Sequence, residues 1–87
     1  MKRERLEILF DILSAISIRP KGAKTTSIIR KANINNTKKV GCLSELETRG
    51  MIRVNIDKHN RPTYIITNKG NQYITKFAEI KYLLGSN

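Results

Sequence analysis

Residues 25–50 read TTSIIRKANINNTKKVGCLSELETRG, and this stretch decides the fold. Its apolar residues recur at helical spacing in two short runs, which predicts helices over residues 26–32 and 37–49. The segment between them, residues 33–36, reads Asn-Ile-Asn-Asn. Asparagine tolerates the left-handed backbone that closes one helix and caps the next, so this segment predicts a tight turn around a buried isoleucine. The stretch as a whole predicts a helix-turn-helix.

The sequence before this helix pair predicts one more helix. Over residues 3–18 the apolar residues recur at intervals of three and four, with acids on the other side, which is typical of an amphipathic helix. Pro20 and Gly22 end it, because proline disfavours helix in the residue before it and glycine permits a positive φ. A short strand is expected at residues 23–25, with Thr25 or Thr26 as the cap of the second helix.

The sequence after the helix pair predicts a hairpin and a last helix. Polar and apolar residues alternate over 53–56 and over 63–67, and the segment between them breaks the pattern. Helical spacing resumes over residues 66–84, with Thr67 as a cap. The expected fold class is mainly α with a small β-hairpin, in the order α-α-α-β-β-α. This is a winged helix-turn-helix whose wing is the hairpin and whose last helix serves dimerisation.

The charge distribution indicates a polyanionic partner. The 87 residues suffice for one domain, residues 1–87, and carry a formal net charge of +10. Between Asp11 and Glu45 there is no Asp or Glu, whereas seven Lys and Arg fall there. Such a chain is drawn to phosphate or to anionic lipid. Lipid is the weaker interpretation, because the bases run from Lys2 to Lys81 through helices, turns and strands instead of one amphipathic segment.

Three groups of polar and basic residues are candidate contacts with duplex DNA. The start of a recognition helix reaches base edges in the major groove. The residues predicted there are Asn35, Asn36, Thr37, Lys38, Lys39 and Ser44. The start of the second helix favours phosphate. The residues predicted at and after this start are Lys24, Thr25, Thr26 and Arg30. The wing residues expected on the flanking backbone are Lys58, His59, Asn60 and Arg61. Each residue taken singly is also explained as a solvated side chain, and the absence of acids across the set favours phosphate binding.

Two residues inside the third helix need a separate explanation. Gly41 costs about 1 kcal/mol there relative to alanine, which close approach to DNA or to the second helix would explain. Cys42 lies near the apolar stripe of Val40, Leu43 and Leu46 and is interpreted as a small buried hydrophobe. A redox switch is the lesser alternative, because no resolving partner is present.

The last helix predicts a dimer interface. Its apolar residues are spaced four, three and four apart, which is the rhythm of a coiled coil. They are Tyr73, Phe77, Ile80 and Leu84. Tyr73 is expected to face the core, with the other three projecting beyond it. The alternative is that all four pack on the first helix.

The sequence offers no residues for catalysis, a metal or a cofactor. Cys42 is the only cysteine and His59 the only histidine, so neither a disulfide nor a zinc cluster is expected. No phosphate-binding glycine loop or nucleophile motif is present, and no small-molecule ligand is evident. Glu7 and Asp11 interrupt the apolar run that a signal peptide needs. A cytoplasmic, nucleoid-associated protein that is not an enzyme and has no membrane partner is expected.

Several stretches together form a recognisable pattern: residues 5–8 and 11–13, 31–34, Leu43, Leu46 and 50–52, and the run Tyr64-x-Ile66-Thr67-x-Lys69-Gly70. In these stretches the chain resembles small archaeal winged helix-turn-helix DNA-binding proteins, which include transcription-regulator-like domains and the ten-kilodalton a-type chromosomal proteins. The resemblance implies a homodimer joined through the last helix and bound to duplex DNA.

The function expected from these observations is that of a dimeric duplex-DNA-binding protein and transcriptional regulator. The recognition helix would enter the major groove while the wing contacts the backbone. Two alternatives stay open: a nucleoid architectural protein of low sequence specificity, and a winged-helix module that binds protein or RNA.

Overall fold

A computed structural model of the protein describes residues 4–85, apart from the side chains of residues 36 and 38–40. The elements follow one another as α1 (Arg5–Ser17), β1 (Ala23–Lys24), α2 (Thr25–Ala32), α3 (Asn36–Thr48), β2 (Ile52–Ile56), β3 (Pro62–Ile66) and α4 (Asn68–Leu83). This order confirms the predicted winged helix-turn-helix. In the helix-turn-helix, α2 starts one residue earlier than predicted, and α3 starts and ends one residue earlier.

The strands form one antiparallel sheet in the order β1-β3-β2. Ile52 pairs with Ile66 in the hairpin, and Lys24 of β1 pairs with Thr63 on the other side of β3. Because Lys24 is held extended by the sheet, with φ −87 and ψ 154, helix α2 begins directly after it. The predicted cap at Thr25 or Thr26 is therefore wrong: Lys24 occupies the N-cap position, and its side chain makes no capping hydrogen bond.

The turn between α2 and α3 has the predicted geometry. Asn33 adopts the left-handed conformation, with φ 55 and ψ 53, and its amide donates to the Ile29 carbonyl. Ile34 is only 7% exposed, as expected for the buried residue of the turn. An asparagine fits this position because the left-handed backbone is costly for most other residues.

The core lies between α1 and the helix-turn-helix. Ile12, Leu13 and Ile16 of α1 are fully buried, as are Ile28 of α2 and Leu46 of α3. Burying a side chain of this size contributes roughly 1.5–3 kcal/mol, so these residues are a main source of the stability of the fold.

The apolar stripe of α3 is only partly described. Leu43 is 5% exposed and Cys42 2% exposed, which confirms Cys42 as a small buried hydrophobe. The side chain of Val40 lies outside the described part of the chain. Gly50, at φ 74, ends the chain's helical path after α3, as the sequence predicted.

The last helix starts later than predicted. Ile66 still pairs with Ile52 in the sheet, so the first helical residue is Asn68 and not residue 66. Thr67 caps α4 as expected, because its hydroxyl accepts a hydrogen bond from the Gly70 amide at 3.2 Å.

Aromatic residues join α4 to α1. The rings of Phe77 and Phe10 stack with centroids 4.9 Å apart, and Tyr73 stacks on Phe77 at 5.8 Å. The Tyr73 hydroxyl donates to the Leu6 carbonyl at 2.6 Å. Burial raises the pKa of this hydroxyl, and the negative charge of Glu45 adds to the shift. The sequence predicted that Phe77 projects beyond the domain, and this prediction is wrong. Phe77 packs on the first helix of its own chain.

The far end of α4 is apolar and uncovered. Ile80 is 52% exposed, and Tyr82, Leu83 and Leu84 are 85%, 80% and 79% exposed. We call these four residues the apolar end. Tyr82 and Leu83 also line a shallow depression with Ala78.

Candidate nucleic-acid interface

The predicted recognition helix turns a small, polar face outward. Thr37, Gly41 and Ser44 are exposed, and their spacing of four and three places them on one face of α3. Asn35, immediately before the helix, is also exposed. The predicted contacts Asn36, Lys38 and Lys39 have side chains outside the described part of the chain.

Gly41 lies on this face with open space in front of it. A Cβ built at Gly41 would meet no described atom within 4 Å. Close packing against α2, one of the two explanations offered by the sequence, is therefore excluded. Gly41 therefore presents an exposed, methyl-free surface to solvent.

The start of α2 and the base of the wing meet in one depression. Lys24 and Thr26 are exposed and Thr25 is half-buried, and all three line this depression together with Arg61 and Pro62. The sequence placed Arg61 in a separate group, because it could not show that β1 holds the start of α2 against β3.

Arg30 is separate from the depression at the start of α2. It lies in the last turn of α2 and is exposed. It follows Thr25, the first residue of α2, by five positions, which is about 7.5 Å along the helix axis, so it does not lie at the helix start with Lys24 and Thr26.

A second depression connects α3 to the start of α2 and the base of the wing. Its lining residues are Thr25, Leu43, Ser44, Glu47, Val54, Pro62 and Tyr64. Thr25 and Pro62 line both depressions, so the outward face of α3, the start of α2 and the base of the wing adjoin. Together with the wing tip, we call this region the basic surface.

The wing tip is a structured turn. The Asp57 carboxylate accepts hydrogen bonds from the amides of His59 and Arg61, both at 2.9 Å. Asn60 takes a positive φ of 62, and its amide donates to the Asp57 carbonyl at 2.9 Å. The side chains of Lys58, His59, Asn60 and Arg61 are exposed. The acid of this loop thus organises its backbone and presents the four predicted wing residues to solvent.

The acid that ends the acid-free segment binds arginines. Glu45 accepts hydrogen bonds from Arg5 Nε at 2.9 Å and from Arg49 Nε at 3.0 Å. These hydrogen bonds, first from Arg5 and then from Arg49, lower the pKa of the Glu45 carboxyl. The pairing connects α3 to the start of α1, and sequence reasoning missed it. The spacing of Glu45 and Arg49 by four helical positions could have predicted the Arg49 hydrogen bond but not the one from Arg5.

A further contact missed at the sequence level involves the end of α3. The Lys69 ammonium donates to the Arg49 carbonyl at 2.7 Å, and the Thr67 hydroxyl donates to the Gly50 carbonyl at 2.6 Å. Both donors belong to the Tyr-x-Ile-Thr-x-Lys-Gly run, which was the signal that could have drawn attention to them.

Residues 4–85 contain neither a membrane-spanning helix nor a group of metal-ligating side chains. No helix in this range combines the length and apolar character needed to cross a membrane. Within the same range, no three His, Cys, Asp or Glu residues lie close enough to hold a metal ion.

The fold and the outward-facing basic residues define a winged-helix protein. The sequence of residues 2–84 matches the winged helix-turn-helix family. The chain therefore belongs to the winged helix-turn-helix family, which confirms the resemblance predicted from the sequence and identifies a binding protein and not an enzyme. No curated protein sequence matches the chain significantly.

Solved structures agree with this assignment. Sso10a-2, a DNA-binding protein from Sulfolobus solfataricus, is 30% identical, with a TM-score of 0.79 over 97% of this chain and 87% of its own. The regulator BldR from the same organism is 18% identical, with a TM-score of 0.72 over 93% of this chain and 62% of its own. MepR from Staphylococcus aureus, solved in complex with DNA, is 16% identical, with a TM-score of 0.73 over 91% of this chain and 66% of its own.

Proposed function

We propose that the protein is a dimeric duplex-DNA-binding transcriptional regulator. In this proposal α3 enters the major groove, the start of α2 binds phosphate, and the wing tip contacts the flanking backbone. Similarity to Sso10a-2, a DNA-binding protein at 30% identity, supports DNA as the partner.

The observation that carries the proposal is the continuity of the basic surface. Two depressions that share Thr25 and Pro62 bring the start of α2, the face of α3 and the wing base side by side. A duplex presents a groove flanked by two phosphate backbones, so a contact surface needs a polar centre with cations beside it. Ser44 and Gly41 suit the centre, whereas Lys24 and Arg61 suit the margin.

Two acids near the basic surface are held by partners within the protein. Glu45 binds Arg5 and Arg49, and the Asp57 carboxylate binds backbone amides within its own loop. A third acid, Glu47, is exposed and lines the depression beside α3. Phosphate neutralisation supplies most of non-specific DNA affinity, so the internal pairing of Glu45 and Asp57 favours binding.

A dimer is proposed through α4. Tyr73 and Phe77, two of the four residues predicted for the interface, pack within the protomer, which leaves Ile80 and Leu84 of the prediction exposed. Tyr82 and Leu83 extend the exposed apolar area. Large adjacent apolar side chains on a small protein mark an interaction site, and a second copy of the same helix end is the proposed occupant.

The proposal is tested by fluorescence anisotropy with a labelled duplex of random sequence at physiological salt, with single-stranded DNA and RNA of equal length as controls. Duplex binding at or below micromolar protein is expected. No duplex binding at micromolar protein would overturn the proposal and favour the protein-interaction module, and preferential RNA binding would favour the RNA-binding alternative.

Selection of bound sequences from a random DNA pool separates regulator from architectural protein. A regulator should enrich a motif and resist competition by random DNA, since specific affinity exceeds non-specific affinity by typically about 10³-fold or more. An unenriched pool would favour the nucleoid architectural alternative. The molar mass measured alongside tests the dimer.

A further inference from the structure

Three consecutive backbone carbonyls just after α3 receive hydrogen bonds from the N-cap and first turn of α4. The Lys69 ammonium donates to the Arg49 carbonyl at 2.7 Å. The Thr67 hydroxyl donates to the Gly50 carbonyl at 2.6 Å, and the Thr67 amide donates to the Met51 carbonyl at 3.0 Å. Two residues of one segment thus supply partners for every carbonyl from 49 to 51.

These carbonyls follow Thr48, the last residue of α3, so no amide of the helix pairs with them. A helix leaves its last carbonyls without amide partners of its own. The chain after α3 satisfies three of these carbonyls, because the Arg49 amide donates to Glu45 at 2.9 Å, the Met51 amide to Leu46 at 2.9 Å and the Gly50 amide to Glu47 at 3.0 Å. The Arg49 carbonyl comes after them, where the negative end of the helix dipole also favours an ammonium group. Lys69 supplies both the donor and the charge.

Backbone contact makes this junction tight. A Cβ added to Gly70 would lie 2.4 Å from the Met51 carbonyl oxygen and 2.6 Å from Ile66 Cγ1. Real Cβ atoms do not approach backbone so closely, so only glycine lets the first turn of α4 lie directly on the chain that follows α3. The Thr67-x-Lys69-Gly70 segment therefore acts as one unit against the end of α3.

We propose that Lys69 is a positioning residue for the recognition helix and not a phosphate contact. It fixes the end of α3 to the start of α4, so the orientation of α3 is set by the helix that we propose joins the two protomers. This inference rests on the proposed DNA-binding function. Without this contact, the exposed ammonium group of Lys69 would be counted among the DNA contacts of a protein with a net charge of +10.

The test is the substitution Lys69→Met, which keeps the aliphatic stem and removes the ammonium group. Duplex affinity, measured well below the unfolding temperature, should fall by about three- to tenfold because α3 is less well held. The slope of log affinity against log salt should stay unchanged, because no phosphate contact is lost. Lys69→Arg should restore most of the affinity, since a guanidinium also donates to the Arg49 carbonyl.

Lys76→Met is the matched control. Lys76 is an exposed lysine of the same helix, two turns further on, so the substitution removes the same charge from the same element. Its affinity should match that of the wild type. Equal losses in the two variants would overturn the inference, because the effect would then be one of net charge.

Three other results would also overturn it. A salt slope that becomes shallower by about 0.9 per lysine would make Lys69 a phosphate contact. Unchanged affinity with a lower unfolding temperature would limit Lys69 to a structural role. If Lys69→Met does not fold, Thr67→Val removes the neighbouring hydrogen bond to the Gly50 carbonyl instead. This variant must then lose affinity without a change in the slope of log affinity against log salt. If it does not, the inference about Lys69 is overturned. Failure of the wild type to bind duplex would instead reject the proposed function itself.

Discussion

The basic surface and the apolar end of α4 are both exposed, but exposure has opposite consequences for them. Lys24, Lys58 and Arg61 are solvated favourably in isolation, so the basic surface needs no partner in order to be stable. Ile80 and Leu84, at 52% and 79% exposure, keep apolar area in water that a partner would remove. In the proposed function, the charged region supplies affinity toward a polyanion and the apolar region supplies self-association.

The largest expected effect comes from neutralising the basic surface. The triple substitution Lys24→Gln, Lys58→Gln and Arg61→Gln should lower duplex affinity by about a thousandfold, because a dimer would lose six phosphate contacts. Anisotropy titration measures the loss.

A charge-matched variant controls this experiment. Replacing Arg19, Lys21 and Lys76 with Gln also lowers the net charge from +10 to +7, at positions outside the basic surface. It should retain affinity within about tenfold of the wild type, because the contacts themselves remain. Equal losses in the two triple variants would remove the distinction between the basic surface and the rest of the protein.

The second effect comes from breaking the apolar end. Ile80→Glu together with Leu84→Glu should convert the dimer to a monomer and lower duplex affinity by about a hundredfold, since linked half-sites bind with high effective concentration. Light scattering gives the molar mass and anisotropy the affinity.

Ile18→Glu is the control for an exposed apolar residue elsewhere. Ile18 is 56% exposed at the end of α1, a fraction close to that of Ile80. This variant should remain dimeric. A wild type that is monomeric at micromolar concentration would show that the apolar end does not serve self-association.

The third prediction is that replacing Gly41 raises stability but lowers duplex affinity. Gly41→Ala should raise the free energy of unfolding by about 1 kcal/mol, because alanine favours helix and its Cβ meets no described atom within 4 Å. The same methyl group should lower duplex affinity by about tenfold if α3 approaches DNA closely at this point. Denaturant unfolding and anisotropy measure the two effects separately. A stabilised variant with wild-type affinity would show that Gly41 is not a contact point.

The smallest effect concerns Glu45, whose carboxyl pKa is lowered mainly by the hydrogen bond from Arg5. A carboxyl with a lowered pKa in the folded state contributes stability above its unfolded pKa and loses it as the pH falls through the folded value. The unfolding temperature of the wild type should therefore drop below about pH 4.5. Glu45→Gln should show a smaller drop, and Glu79→Gln, which alters an exposed acid of α4, should behave as the wild type. Identical acid profiles for wild type and Glu45→Gln would contradict the pairing.

Local chemistry made much of the fold predictable. The left-handed Asn33, the buried Ile34 and the Thr67 cap each depend on a few neighbouring residues, and the structure bears out all three. The order of helices and strands follows from spacing that the printed sequence shows directly. Such features are determined within about one helical turn.

Contacts between distant residues account for what the sequence did not predict. The failed cap at Thr25 results from the pairing of Lys24 with Thr63, which lies far along the chain. Phe77 likewise packs on a residue distant in sequence, Phe10. The predicted dimer residues therefore divide into an internal pair, Tyr73 and Phe77, and an exposed pair, Ile80 and Leu84.

The candidate interface divides in the same way. Its residue types were evident from the missing acids, but the adjacency of Arg61 to the start of α2 depends on the sheet. The contacts of Lys69 with the end of α3 span 20 positions of sequence, and those of Arg5 with Glu45 span 40. Spacing rules do not reach such distances.

The most direct test of the central claim is the salt dependence of duplex binding by the wild-type protein. If each protomer of a dimer neutralises three or four phosphates, log affinity should fall against log salt concentration with a slope of roughly −5 to −7. A slope near zero would contradict the account, because the basic surface would then contribute nothing to DNA binding.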